Sequence, residues 1–193
     1  MASHITFITG GQRSGKSSHA QQLAEEQSSE PIYLATSRIW DEDFRQRIER
    51  HQNDRGNQWT TIEEEKQLSK LRFEGQTVLL DCITLWLTNI YYDNNNDVEK
   101  SLQEAKTEWD AFIAQDFKLI VVSNELGMGV HPENEIARKF TDLQGCMNQY
   151  IAKKANEVVL MVSGIPVKIG PSLPVGISSP RKEKHFDDTR CKI

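Results

Sequence analysis

The chain has 193 residues, enough for one domain with a substantial core. Its 37% hydrophobic and 26% charged residues are those of a globular protein, and no apolar run reaches the length of a membrane span. A net charge of −5 argues against a dedicated nucleic-acid binder, and three widely spaced cysteines (Cys82, Cys146, Cys191) exclude a disulfide framework and a CxxC metal knuckle. That cysteine usage makes a reducing cytoplasm the expected compartment, and no charged segment leads into an apolar stretch at the start.

In chain order, short β-rich runs alternate with longer helical patterns. A strand is predicted over 5–9 (ITFIT), a helix over 16–28, a strand over 31–36 (PIYLAT) and a helix over 41–55. Then come a strand over 77–81 (TVLLD), helices over 82–92 and 97–115, and a strand over 118–123 (KLIVVS). A helix over 132–155, with Pro132 in its first turn, leads to a strand over 157–163 and an antiparallel return over 165–169. The strands are apolar almost throughout, as expected when helices cover both faces, and the alternation implies a doubly wound, mostly parallel α/β sheet in one domain over 1–170. Asn94-Asn95-Asn96 reads as a loop tip and nothing more. From 171 to 193 prolines and glycines break the pattern, and that stretch reads as a loosely ordered tail.

Gly10-Gly11-Gln12-Arg13-Ser14-Gly15-Lys16-Ser17 fits G-x-x-x-x-G-K-[ST] between a predicted strand and a predicted helix. In such a loop successive backbone N–H groups turn inward around phosphate oxygens, and the helix N-terminus adds partial positive charge. Lys16 is expected to reach the β- and γ-phosphates and Ser17 to ligate Mg²⁺, with Arg13 a further candidate contact. Asp81 ends the third predicted strand, where the ligand crevice of a parallel sheet lies. Two readings stand: a Walker-B carboxylate that helps hold Mg²⁺ through water, or an N-cap of the helix that follows.

Between 41 and 65, Arg45, Arg47, Arg50 and Arg55 surround His51, with Trp59 and Glu63 beyond. One reading is a solvated helix face with an inert histidine. The other is a polyphosphate cradle in which neutral His51 attacks an α-phosphate and forms a phosphoramidate. After the fourth strand comes Asn124-Glu125-Leu126-Gly127-Met128-Gly129, a glycine loop suited to an acceptor or a lid. Glu125 is there a candidate base or orienter for an acceptor hydroxyl, against an ordinary loop that caps the next helix, and Met128 reads as packing.

Four blocks in order carry a family resemblance: ITFITGGQRSGKSSHA; YLATSRIWDEDFRQRIERHQNDRGNQWTTIEE; LLDCITLWLTN; and VVSNELGMGVHPENEIARKFTDLQGCMNQYIAKKANEVVLMVSGIPVKI. Over residues 5–169 the chain closely resembles the bifunctional adenosylcobinamide kinase/adenosylcobinamide-phosphate guanylyltransferase family of cobalamin biosynthesis. The resemblance implies a P-loop sheet of the RecA-like type and a homotrimer. It implies phosphorylation of adenosylcobinamide with ATP or GTP, then transfer of GMP from GTP, through a guanylylated histidine, to give adenosylcobinamide-GDP. The histidine falls on His51, and the implied nucleotide contacts fall on residues 10–17, Thr36, Ser37, Arg38, Gln52, Asn53, Asp54, Arg55, Glu63 and Asp81.

The chain departs from the family pattern at Gly56, where proline is common, and at His131, where an apolar residue is usual. Gly56 enlarges the unfolded ensemble and loosens the turn after Arg55. Two other functions compete. A P-loop kinase of another small metabolite would leave His51 inert. A regulatory GTPase would carry N-K-x-D after an apolar strand, where this chain has Ser123-Asn124-Glu125-Leu126.

Overall fold

The computed structural model describes residues 3–38 and 56–170. The helix expected over 41–55, with His51 and its arginines, and the tail over 171–193 lie outside the described residues.

Among the described residues seven strands form one sheet: β1 (His4–Gly10), β2 (Ile32–Ala35), β3 (Thr60–Glu63), β4 (Thr77–Asp81), β5 (Lys118–Asn124), β6 (Glu157–Val162) and β7 (Ile165–Gly170). Their spatial order is β3-β2-β4-β5-β1-β6-β7, parallel except for β7, which returns antiparallel on β6. The described helices are α1 (Lys16–Gln27), α2 (Ile83–Asp93), α3 (Val98–Phe112) and α4 (Glu135–Lys154). This is the doubly wound, mostly parallel P-loop sheet flanked by helices expected for the RecA-like class.

The period of two along each strand sorts the core into two layers. Ile5 and Phe7, Ile32 and Leu34, Val78 and Leu80, Leu119 and Val121 face one side, where they meet Trp86, Trp109, Phe112, Leu143 and Met147 from α2, α3 and α4. Ile8, Tyr33, Ala35, Leu79, Ile120 and Val122 face the other side, under Ala20 and Ala24 of α1. Trp86 and Trp109 are fully buried, and each apolar side chain of this size contributes roughly 1.5–3 kcal/mol on burial. The small residues of α1, four apart, let the phosphate-loop helix lie close on β4 and β5.

Four expectations need correction. β3 is absent from the sequence reading: Thr60–Glu63 is only partly buried, so it lacks the apolar run that marks the inner strands. Pro132 lies ahead of α4, which starts at Glu135 because the Asn134 side chain accepts from the N–H groups of Ile136 (2.8 Å) and Ala137 (3.4 Å). Asn94 is more than a loop tip: it is buried and its Nδ2 donates to Glu104 Oε2 at 2.6 Å, tying the end of α2 to α3. Met128 is 77% exposed and packs in no core.

Candidate functional site

The phosphate loop starts where β1 ends. Gly10 has φ of 149°, and a Cβ there would lie 2.5 Å from the Met161 carbonyl oxygen. The loop is therefore pressed against β6, and the Gly164 N–H fastens it by donating to the Ser14 carbonyl at 2.9 Å. Arg13 and Gly15 take left-handed conformations, with φ of 57° and 91°. Alternation of this kind turns neighbouring N–H groups to one side, the geometry of an anion nest. Among the described residues the Ser14 hydroxyl is buried without a hydrogen-bond partner, an orphan that a phosphate oxygen would satisfy. Gln12 and Arg13 are exposed at the tip, and Ser17 is half-buried in the first turn of α1.

Lys16 is 7% exposed, and its Nζ donates to the Gly11 carbonyl at 2.6 Å, folding the side chain back over its own loop. Burial holds its pKa below the ordinary lysine value, against the opposing pull of Cys82 and Asp81. A desolvated ammonium beside inward-facing amides is a strong point charge for a polyphosphate.

Asp81 closes β4, and its residue row across the sheet reads Glu63, Ala35, Asp81, Val122. Glu63 and Asp81 thus share the carboxyl edge of the sheet, two strand spacings apart (roughly 10 Å). β3, unseen in the sequence, is what brings Glu63 there. The capping reading of Asp81 is overturned: Cys82 holds the N-cap position of α2, and among the described residues no side chain caps that helix. Asp81 Oδ2 instead accepts from the Tyr33 hydroxyl at 3.1 Å. Cys82 is buried and its thiol is pushed up to about 12 by burial first and Asp81 second, so it is an inert neighbour.

The Thr36-Ser37-Arg38 segment leaves β2 at the same edge. Thr36 is fully buried, and its Oγ1 donates to the Cys82 carbonyl (2.8 Å) and accepts from the Cys82 N–H (3.1 Å), a clamp between the ends of β2 and β4. Arg38 is engaged by carboxylates: Nε to Glu65 Oε2 at 2.7 Å and Nη1 to Asp93 Oδ1 at 3.0 Å. Lys66 joins this network through Asp93 and Glu104, both at 3.1 Å. The adjacent groove, 440 Å³ and lined by Glu64, Glu65, Lys66, Gln67, Asp93, Glu104 and Glu108, is acidic and unsuited to phosphate.

Glu125 lies against the phosphate loop, since its N–H donates to the Gly10 carbonyl at 3.0 Å. Its carboxylate turns to its own loop, with Oε1 accepting from the Gly127 N–H at 2.9 Å. Residues 10–17, Thr36, Asp81 and Glu63 therefore gather at the carboxyl edge of the sheet, whereas His51, Gln52, Asn53, Asp54 and Arg55 lie outside the described residues. Sequence reasoning missed Tyr33. Its signal was a hydroxyl-bearing ring in an otherwise aliphatic strand, which needs a polar partner when buried.

Ser17 and Asp81 offer hard oxygen donors of the kind Mg²⁺ takes. Among the described residues no three His, Cys, Asp or Glu side chains cluster to hold a metal ion by themselves. That donor set fits Mg²⁺ held jointly by the protein and substrate phosphates.

Known proteins resemble this chain over most of its length. The sequence model of the family described as cobinamide kinase / cobinamide phosphate guanyltransferase matches residues 6–169. The bifunctional adenosylcobalamin biosynthesis protein CobU of Escherichia coli (strain K12) is 40% identical over 180 residues, 86% of this chain and 99% of that protein. The bifunctional adenosylcobalamin biosynthesis protein CobP of Pseudomonas aeruginosa is 37% identical over 167 residues, 84% of this chain and 95% of that protein. Among solved structures, the flagellar accessory protein FlaH from Methanocaldococcus jannaschii aligns with 86% of this chain and 75% of its own, at 13% identity and a TM-score of 0.40.

Proposed function

Because the chain belongs to the cobinamide kinase / cobinamide phosphate guanyltransferase family, we propose that it carries out both reactions on one phosphate loop. It phosphorylates adenosylcobinamide with ATP or GTP, then transfers GMP from GTP through His51 to give adenosylcobinamide-GDP. The observation that carries the reading is the desolvated Lys16 in an anion nest, with Asp81 at the end of a strand on the same edge.

In the kinase step the nest and Lys16 bind the triphosphate; the acceptor hydroxyl attacks the γ-phosphorus, the P–O bond to the nucleoside diphosphate breaks, and the hydroxyl proton passes to solvent. Ser17, with Asp81 behind it, would hold Mg²⁺ together with the substrate phosphates, and the ion would supply charge neutralisation for the phosphoryl transfer. Glu125 sits beside the loop and would orient the acceptor once its hold on Gly127 is released. In the second step a neutral imidazole nitrogen of His51 attacks the α-phosphorus of GTP. An N–P bond forms, the P–O bond to pyrophosphate breaks, and the imidazole sheds its other proton to solvent. A phosphate oxygen of adenosylcobinamide phosphate then attacks the same phosphorus, the N–P bond breaks, and the departing imidazole takes a proton back from solvent. The arginines around His51 and the Gln52-Asn53-Asp54-Arg55 segment would gather the nucleotide.

Cytoplasmic location and a homotrimer belong to the same proposal. No described helix is long and apolar enough to cross a membrane. Support for association comes from the β6–β7 edge, where Val162, Ile165, Val167 and Ile169 are 42–64% exposed.

The test is a product assay with adenosylcobinamide, ATP or GTP, and Mg²⁺. Wild-type protein should yield adenosylcobinamide phosphate, and Lys16→Ala should lower that rate about a hundredfold or more with the fold intact. Wild-type turnover by Lys16→Ala would remove the loop from the mechanism.

A further inference from the structure

The register of the sheet puts Tyr33 opposite Leu79, so Asp81, two residues on in β4, is its diagonal neighbour on the same face. That face is the one α1 covers, the helix that begins with Lys16 and Ser17. A ring on β2 can lean along the strand to the end of β4, and this one does: the Tyr33 hydroxyl donates to Asp81 Oδ2 at 3.1 Å. The ring itself is held. Tyr33 is 6% exposed, and Trp59 meets it edge-on at 6.3 Å between centroids and 78° between planes. Trp59 is fixed in turn, its Nε1 donating to Glu25 Oε1 on α1 at 2.9 Å. Among the described residues, Tyr33 is thus a preset donor on one carboxylate oxygen of Asp81.

From this geometry we propose that Tyr33 is a positioning residue for Asp81: by occupying Oδ2 it fixes the carboxylate rotamer and aims Oδ1 at the hydration shell of the nucleotide-bound Mg²⁺. The inference rests on the reading of Asp81 as a Mg²⁺-directed carboxylate, and it adds a residue that neither the phosphate-loop pattern nor the strand-end rule identifies. A carboxylate left without its orienting donor samples several rotamers, and loss of such an outer partner typically weakens metal affinity about tenfold or more.

The experiment measures Mn²⁺ binding by electron paramagnetic resonance, as depletion of the free-ion signal, in protein saturated with a non-hydrolysable GTP analogue. It is run on wild type, Tyr33→Phe, Asp81→Asn and the double variant, with nucleotide affinity in EDTA and melting temperature measured on each. Tyr33→Phe keeps the ring and its contact with Trp59. It should weaken Mn²⁺ about tenfold and raise the half-saturating Mg²⁺ of the kinase reaction by a similar factor, with nucleotide affinity in EDTA unchanged. The double variant should bind Mn²⁺ no more weakly than Asp81→Asn alone. Wild-type Mn²⁺ affinity in Tyr33→Phe, with Asp81→Asn impaired, overturns the role of Tyr33 and leaves Asp81 in place. Unimpaired Mn²⁺ binding by Asp81→Asn overturns the reading of Asp81 and the inference with it. Equal losses with and without metal would make Tyr33 a structural residue only and also overturn it.

Discussion

Lys16 carries a cost that its ligand offsets. The residue is 7% exposed, and in the free protein its ammonium donates to one carbonyl of its own loop. Burial lowers its pKa below 10.5, so the native state holds its proton less tightly than the unfolded chain does. The charged group therefore destabilises the fold at all pH values below the lowered pKa, and this penalty fades as pH rises towards 10.5. Lys16→Met should accordingly raise the melting temperature of the nucleotide-free protein at pH 7 and abolish its stabilisation by GTP. A lower melting temperature for the variant without nucleotide would contradict the burial argument. At this scale much of the site was legible: the glycines, Lys16 and Ser17 have a fixed spacing whose chemistry follows from residue type. Tyr33 was not, because its role depends on which residue of β4 lies diagonally across from it, and a single strand does not state its register.

Among the elements, the phosphate loop is held by its packing on β6. The Met161 carbonyl sits where a Cβ on Gly10 would go, and a main-chain obstacle cannot swing aside as a side chain can. Gly10→Ala should destabilise the protein by about 1–3 kcal/mol in urea or guanidinium unfolding and reduce nucleotide affinity together with stability. Stability unchanged within error would mean that the loop can move off β6 at little cost. The inner strands were readable as apolar runs because helices bury both their faces, and β4 ends at Asp81 as expected. β3 was not, since Thr60 and Thr61 are exposed and, among the described residues, lie on the edge strand of the sheet. The start of α4 was misplaced because Pro132 and Asn134 both suit a helix N-terminus, and the cap hydrogen bonds of Asn134 decided it.

Across the whole molecule, charge ties together segments far apart in sequence. Arg38, just past β2, grips Glu65 beyond β3 and Asp93 at the end of α2, and Lys66 adds Glu104 of α3. The Arg38 guanidinium, followed by Lys66, holds the Asp93 carboxyl down at about 2, from an ordinary 3.8. A depressed carboxyl pKa stabilises the fold fully above 3.8, and the contribution is lost as pH falls through about 2. Because these side chains are partly exposed, the gain is held to about 1 kcal/mol. Asp93→Asn should lower stability by about that amount at pH 7, with the difference from wild type closing between pH 4 and 2 in acid-unfolding curves. A difference that persists unchanged to pH 2 would place its origin elsewhere.

Bifunctionality on one phosphate loop is the central claim, and the mass of the protein after incubation with GTP and Mg²⁺ tests it most directly. One GMP per chain is expected, on a bond that is labile in acid and stable in alkali, because protonating the phosphoramidate nitrogen makes it a better leaving group. His51→Ala should lose the adduct and guanylyl transfer yet keep phosphorylating adenosylcobinamide, since the kinase step uses the loop and needs no carrier. An adduct that persists in His51→Ala, or a wild-type protein that turns over as a kinase and never gains GMP, would contradict the account.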